Sequence, residues 1–188
     1  RARPSSDSRR MRIMPQFRPD FRPTYVLALG MEADRDRPDR LWYRISLPGR
    51  PNGQTGWIIA AAADVQPIHE RIVIDRSARV LKLFRGGRLL LRTRVAVGAP
   101  GMETPLGRFY VTMKFRPSLS ILGVYALETS AYSTLSEWPG GGVVGIHGTY
   151  MPWLLGQAVS HGCVRVSNEG ILKLKRLARE GTPIRIVR

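Results

Sequence analysis

Between Arg71 and Val97, apolar and polar residues alternate with the period of two expected of a strand that buries one face. Arg71-Ile72-Val73-Ile74-Asp75 predicts one strand, and Arg79-Val80-Leu81-Lys82-Leu83-Phe84 a second. Arg85-Gly86-Gly87-Arg88 is hairpin-turn chemistry, and Leu89 to Val97 continues as a third strand. Gly98 to Gly101 and Thr104 to Gly107 predict tight turns, after which Arg108 to Lys114 resumes the strand pattern. No period runs through residues 116–142, which are rich in Gly and Ser and predict loops over a site. Val143-Val144-Gly145-Ile146-His147 predicts a strand that ends on a histidine. The period changes once, where Leu172, Leu174 and Leu177 predict a helix over Glu169–Arg179. Ser167 or Asn168 would cap that helix and Gly181 would stop it, before a final strand from Pro183 to Val187.

Upstream of Arg71 the pattern is different. Residues 1–23 are rich in Arg, Pro and Ser, show neither period, and predict a basic arm or linker. Residues 24–68 predict a small β module. Its strands are expected at Tyr25–Leu29, Leu41–Ile45 and Thr55–Ile59, with an exposed charged loop from Glu32 to Arg40 and a Gly/Pro turn from Pro48 to Gly53. About 45 residues bury too little to be very stable alone. The order of strand, charged loop, Trp-Tyr strand, Gly/Pro turn and Gly-Trp-Ile resembles bacterial SH3-like domains. The alternative is an extra sheet packed on the domain that follows.

Charge narrows the list of partners. Thirty Lys and Arg against 14 Asp and Glu give a formal net charge of +16. Such an excess favours an anionic partner: nucleic acid, a membrane surface or an acidic wall polymer. The cations are spread along the chain and form no recognisable nucleic-acid-binding module, which argues against nucleic acid. Apolar residues at 43% allow a real core. No apolar run of about 18 residues suggests a membrane span. The chain starts at Arg1 without an apolar leader, so an export signal is expected to lie outside it.

The chemistry concentrates in one window. The single cysteine lies in Ser160-His161-Gly162-Cys163-Val164-Arg165, and twelve residues separate Ser160 from His147. A lone Cys beside His, with no disulfide partner, is a candidate nucleophile, and it reacts as thiolate. His147, at a strand end, is the natural base, with the Gly148 carbonyl the nearest group to fix its tautomer. Gly162 allows close backbone approach, so the N–H groups of His161, Gly162 and Cys163 could converge on one oxyanion. Arg165 stands two residues from Cys163, on the same face if the segment is extended, and suits a substrate carboxylate. Bland readings stand beside these: Arg165 as a structural cation, His161 as a loop-orienting residue, Asn168 as a helix cap, Tyr150 and Trp153 as core cover. A zinc site from His147, His161 and Cys163 would lack a fourth ligand.

The run Ile146-His147-Gly148-Thr149, followed by Ser160-His161-Gly162-Cys163-Val164-Arg165-Val166-Ser167-Asn168 with twelve residues between His147 and Ser160, resembles the signature of the L,D-transpeptidase (YkuD-type) catalytic domain. The likeness covers about residues 71–188 and includes Thr104 to Phe109 and the closing Gly-Thr-Pro-Ile-Arg-Ile-Val strand. It implies a mainly β, sandwich-like catalytic fold with one C-terminal helix, here over 69–188. It implies Cys163 as nucleophile, His147 as base, the Gly148 carbonyl as third member, and His161 to Cys163 as the oxyanion hole. Ser160, Arg165, Tyr150 and Trp153 are the expected substrate-binding residues. The implied reaction transfers a peptidoglycan stem tetrapeptide, with loss of terminal D-Ala, to an amine of a neighbouring stem, giving 3→3 cross-links. The same chemistry serves an L,D-carboxypeptidase or a wall-anchoring transferase, and an inactive wall-binding protein is the remaining alternative. No cofactor or metal is expected. Peptidoglycan stem peptides are the expected partners, with an anionic wall polymer as a second, no nucleic acid, a monomeric state and an extracytoplasmic location.

Overall fold

The computed structural model describes residues 4–137 and 140–188. Residues 1–3 of the expected arm and 138–139 of the expected loop region lie outside the described residues. The protein is mainly β with one helix. Strands β1 (Ala28–Ala33), β2 (Leu41–Ser46) and β3 (Thr55–Ile59) form a small antiparallel sheet in sequential order. Then come β4 (Glu70–Asp75), β5 (Val80–Arg85), β6 (Arg88–Arg94), β7 (Val97–Gly98), β8 (Gly107–Phe115), β9 (Ala126–Tyr132), β10 (Val143–His147), β11 (Ala158–Ser160) and β12 (Val164–Arg165). Helix α1 (Asn168–Leu177) and β13 (Pro183–Val187) follow.

Eight of these strands form one mixed sheet in the order β12-β10-β9-β8-β13-β4-β5-β6, and β11 pairs with β7 in a separate two-stranded piece. One face of the large sheet carries Ile72, Ile74, Leu81, Leu83, Phe109 and Ile184 into the core. Ile171 and Leu174 of α1 join the same cluster, so the helix lies on the core side. Burying apolar side chains of this size contributes about 1.5–3 kcal/mol each, and that sets the orientation of every alternating strand. Ser167 caps α1: its Oγ accepts the Gly170 N–H at 3.0 Å. Glu169 in the first turn and Lys175 and Arg176 in the last complement the helix dipole. Asn168, the other expected cap, instead accepts the Val124 N–H at 3.2 Å.

Four expectations need correction. Residues 116–142 are not all loop, because β9 occupies Ala126–Tyr132 between β8 and β10. Five of its seven residues are buried, on both faces, so no polar-apolar alternation announces it. The strand expected from Leu89 to Val97 ends at Arg94, and Val97–Gly98 turns away to pair with β11. The strand expected from Tyr25 begins only at Ala28. The loop after it is not wholly exposed. Asp34 is 3% exposed and accepts from Trp42 Nε1, Ser6 Oγ and the N–H groups of Asp36 and Arg37. Burial alone would raise its pKa; those four donors hold it far below the usual carboxylate range.

Among its described residues, the basic arm is held at separate points. Ser5 and Ser6 bond Asp36 and Asp34 beside the module's loop. Arg18 bonds the Thr112 carbonyl at 2.9 Å and Glu180 at 3.2 Å on the main domain.

Candidate active site

The site forms where β10 and β12 run parallel, with His147 in register with Arg165 and Ile146 with Val164. This pairing brings together two segments separated by the turn around Trp153. Cys163 Sγ and the His147 ring meet at Gly145: a Cβ built on it would lie 3.9 Å from both Cys163 Sγ and His147 Cδ2. The Gly145 N–H donates to Cys163 Sγ at 3.3 Å.

His147 is 3% exposed, and its Nδ1 lies 2.7 Å from the Gly148 carbonyl oxygen. A carbonyl only accepts, so this contact places the proton on Nδ1 and leaves Nε2 as the basic nitrogen. Burial pulls the imidazole pKa down to about 4; the Gly148 and Leu122 carbonyls oppose the shift and the Arg165 cation adds to it. Burial likewise pushes the Cys163 thiol up, although the Gly145 N–H and the Arg165 cation favour thiolate. At neutral pH the pair therefore rests as thiol and neutral imidazole.

The turn carrying Cys163 is braced from beneath. Ser160 Oγ donates to the Cys163 carbonyl at 2.5 Å and accepts the Gly162 N–H at 3.2 Å. Thr104, 0% exposed, donates its hydroxyl to the Gly162 carbonyl at 2.8 Å and accepts the Gly98 N–H at 2.9 Å. Gly162 has φ +116°, and a Cβ there would fall 2.8 Å from Ser133 Cβ, so backbone strain and space both require glycine.

These contacts alter two expectations. Ser160 is buried and its hydroxyl is engaged within the turn, where the expectation had it facing substrate. Of the three N–H groups expected to converge on an oxyanion, that of Gly162 is directed at Ser160. Gly148 does carry the carbonyl that meets the histidine. His161 is half-buried at the head of the turn. Tyr150 and Trp153 do not cover the core: they are 59% and 68% exposed on the segment just after His147. Arg165 is half-buried, and its Nε is buried without a hydrogen-bond partner. Sequence reasoning did not single out Thr104, Ser133 or Gly145 as site residues. Thr104 and Gly145 lie within recognisable turn and strand patterns, but their contacts with the Cys163 turn depend on tertiary register. Among the described residues, no three His, Cys, Asp or Glu side chains group as a metal would need, and no helix is long and apolar enough to cross a membrane.

Comparison with known proteins adds family to geometry. Residues 69–186 match the L,D-transpeptidase catalytic domain. The YkuD protein of Bacillus subtilis, which carries an L,D-transpeptidase name, is 30% identical over 131 residues, covering 70% of this chain and 74% of its own. Its Bacillus licheniformis counterpart is 31% identical over 143 residues, covering 74% and 81%. Among solved structures, an L,D-transpeptidase from Mycobacterium smegmatis shares the fold with a TM-score of 0.53 at 16% identity, covering 88% of this chain and 100% of its own. The L,D-transpeptidase LdtMt1 in complex with imipenem has a TM-score of 0.52 at 20% identity, covering 79% and 67%.

Proposed function

The chain belongs to the L,D-transpeptidase catalytic-domain family, and on that premise we propose that it is a cysteine acyltransferase that forms 3→3 cross-links in peptidoglycan outside the cytoplasmic membrane. The observation that carries the reading is that Cys163 Sγ and the His147 ring both border the Cβ position of Gly145, with His147 Nδ1 anchored on the Gly148 carbonyl. Sγ attacks the carbonyl of the third stem residue while its proton passes to His147 Nε2. The oxyanion is held by backbone N–H groups of the Cys163 turn. The imidazolium then protonates the departing amine of terminal D-Ala, leaving a thioester on Cys163 and a neutral ring. An amine of a neighbouring stem gives up a proton to Nε2 as it attacks the thioester, and collapse releases the cross-linked product and the thiol. The unpartnered Arg165 Nε, beside both reactive groups, supports a role for that guanidinium in holding a substrate carboxylate. Exposed Tyr150 and Trp153 supply surface for the stem. Residues 24–68 we read as an SH3-like module, a reading supported by its three antiparallel strands.

Intact mass after incubation with a carbapenem tests nucleophile and pocket together. The expected result is one adduct on the parent protein and none on Cys163→Ala, with the same thermal unfolding for both. An adduct of equal yield on Cys163→Ala would overturn the assignment. Mass spectrometry of products from a stem tetrapeptide then separates cross-linking from hydrolysis, which is the carboxypeptidase outcome.

A further inference from the structure

The outer face of the large sheet carries a row of cations that the thiol chemistry does not use. Cross-strand register puts Arg108 of β8 opposite Arg185 of β13, and Arg185 opposite Val73 of β4. Val73 in turn faces Lys82 of β5, and Lys82 faces Arg92 of β6. Opposed residues project from the same face of a sheet. Their alternating neighbours Phe109, Ile184, Ile72, Ile74, Leu81 and Leu83 are core, so this row points the other way. Arg108, Arg185 and Arg92 are exposed and Lys82 is half-buried. Arg71, two residues from Val73, adds a fifth cation stacked 4.8 Å over Phe84. At the usual strand spacing, the row from β8 to β6 spans about 19 Å.

Directly opposed like charges destabilise a sheet. Here Arg108 faces Arg185, and Lys82 faces Arg92. Among the described residues none of the five cations is in an ion pair. The carboxylate nearest by register, Asp75, accepts from Ser77 Oγ and the Ala78 N–H in its own turn, and it feels the Lys82 cation without forming an ion pair. Glu70, which follows the core-side alternation of β4, is paired with Arg85 and Arg179. The fold thus keeps a row whose one lysine is eased by Asp75 and whose four arginines form no ion pair among the described residues.

We propose that this row is an exosite for the polymeric substrate, holding free stem-peptide carboxylates of a peptidoglycan strand other than the stem at Cys163. The proposal rests on the transpeptidase reading for the identity of that polymer. Guanidinium groups match carboxylates in bidentate geometry. The cations repeat along a sheet face, as the carboxylates repeat along the polymer. Single exposed contacts of this kind are weak, and a row of them gains by multivalency and is sensitive to salt.

The test is co-sedimentation of the full chain with purified sacculi over a salt series. Arg92→Gln/Arg108→Gln/Arg185→Gln should bind about tenfold more weakly than the parent, with a shallower salt dependence. Its carbapenem adduct yield and its turnover of a soluble tetrapeptide should be unchanged. Arg9→Gln/Arg37→Gln/Arg176→Gln removes the same charge from exposed positions elsewhere and should bind as the parent does. Parent binding should fall on sacculi whose carboxyls are amidated and persist on sacculi stripped of attached anionic polymers. Equal losses in the two triple variants would overturn the proposal, since they would mean that only net charge matters. Full binding to amidated sacculi would overturn it too, as would loss of binding on stripped ones or equal retention on single-stranded DNA or anionic vesicles. Failure of the parent to form the adduct would instead sink the transpeptidase reading, whatever the sedimentation shows.

Discussion

The guanidinium of Arg50, in the turn between β2 and β3, stacks 5.0 Å over the ring of Tyr132 at the end of β9. It also donates to the carbonyls of Gly141 at 2.8 Å, Ser133 at 3.0 Å and Leu135 at 3.2 Å. Two residues on, the Asn52 amide donates to the Tyr132 carbonyl at 2.7 Å and accepts the Tyr132 N–H at 2.9 Å, as a strand neighbour would. Ser133 in turn packs where a side chain on Gly162 would go. A continuous set of contacts therefore runs from the N-terminal module to the turn that carries the thiol.

That continuity predicts a catalytic role for the module as a brace. Arg50→Ala/Asn52→Ala removes several hydrogen bonds to backbone groups, at about 0.5–1.5 kcal/mol each. Turnover of a soluble tetrapeptide should fall several-fold, mainly in kcat, with a lowered melting temperature. A module used only to tether the enzyme to the wall would lose sacculus binding and leave soluble turnover intact. The contacts favour the brace.

How far the site could be read from sequence follows from how local each cause is. The strands bounded by turns, the capped helix and the pairing of Cys163 with His147 rest on short-range pattern, and the expected elements at Thr55–Ile59 and Pro183–Val187 match in full. Strand β9 escaped because both of its faces are covered and its residues are small or polar: Ala126, Thr129, Ser130, Ala131. Gly145, Thr104 and Ser133 escaped as site residues because their roles exist only once β10 meets β12 and the 98–104 turn meets Gly162. The inward contacts of Ser160 were illegible for the opposite reason. It stands in the motif, and nothing local reveals that its hydroxyl turns inward.

Thr104→Val keeps side-chain shape and removes the hydroxyl that joins Gly98 to Gly162. Two buried backbone groups lose their partner, at about 1–3 kcal/mol for an unsatisfied group. The melting temperature should fall, and carbapenem acylation should slow while the adduct still forms. Unchanged acylation with a lowered melting temperature would confine Thr104 to stability.

The depressed pKa of His147 predicts two pH effects. The ring, the proposed base, stays neutral down to about pH 4, so the acid limb of acylation rate should lie well below the ordinary histidine value of 6.5. Stability responds through linkage. Between those two values the unfolded chain binds a proton at this residue and the native one does not, so stability falls as pH drops from 6.5 toward 4 and levels off below. The contribution is on the order of 3 kcal/mol. Urea unfolding at pH 7 and pH 4.5 should show a smaller loss for His147→Gln than for the parent. Equal losses would mean that the ring is not held neutral by burial.

Arg165 is the residue proposed to hold a substrate carboxylate. It shares register with His147 and lies two residues from Cys163, and its Nε is buried without a partner. A bound carboxylate would satisfy that donor and the charge together. Arg165→Ala should raise KM for a tetrapeptide with a free carboxylate near the scissile bond. A lost hydrogen bond to a charged group costs about 1.5–3 kcal/mol, or one to two decades in kcat/KM. Amidating that carboxylate should cost the parent a similar amount and the variant little. The cation also acts on its neighbours, holding the imidazole pKa down and favouring thiolate. Its loss should therefore shift the pH profile for both substrates alike, whereas the KM effect should appear only with the free acid. If both substrates lose kcat/KM equally and KM does not move, Arg165 serves the thiol and the turn, and the carboxylate contact has to be assigned elsewhere.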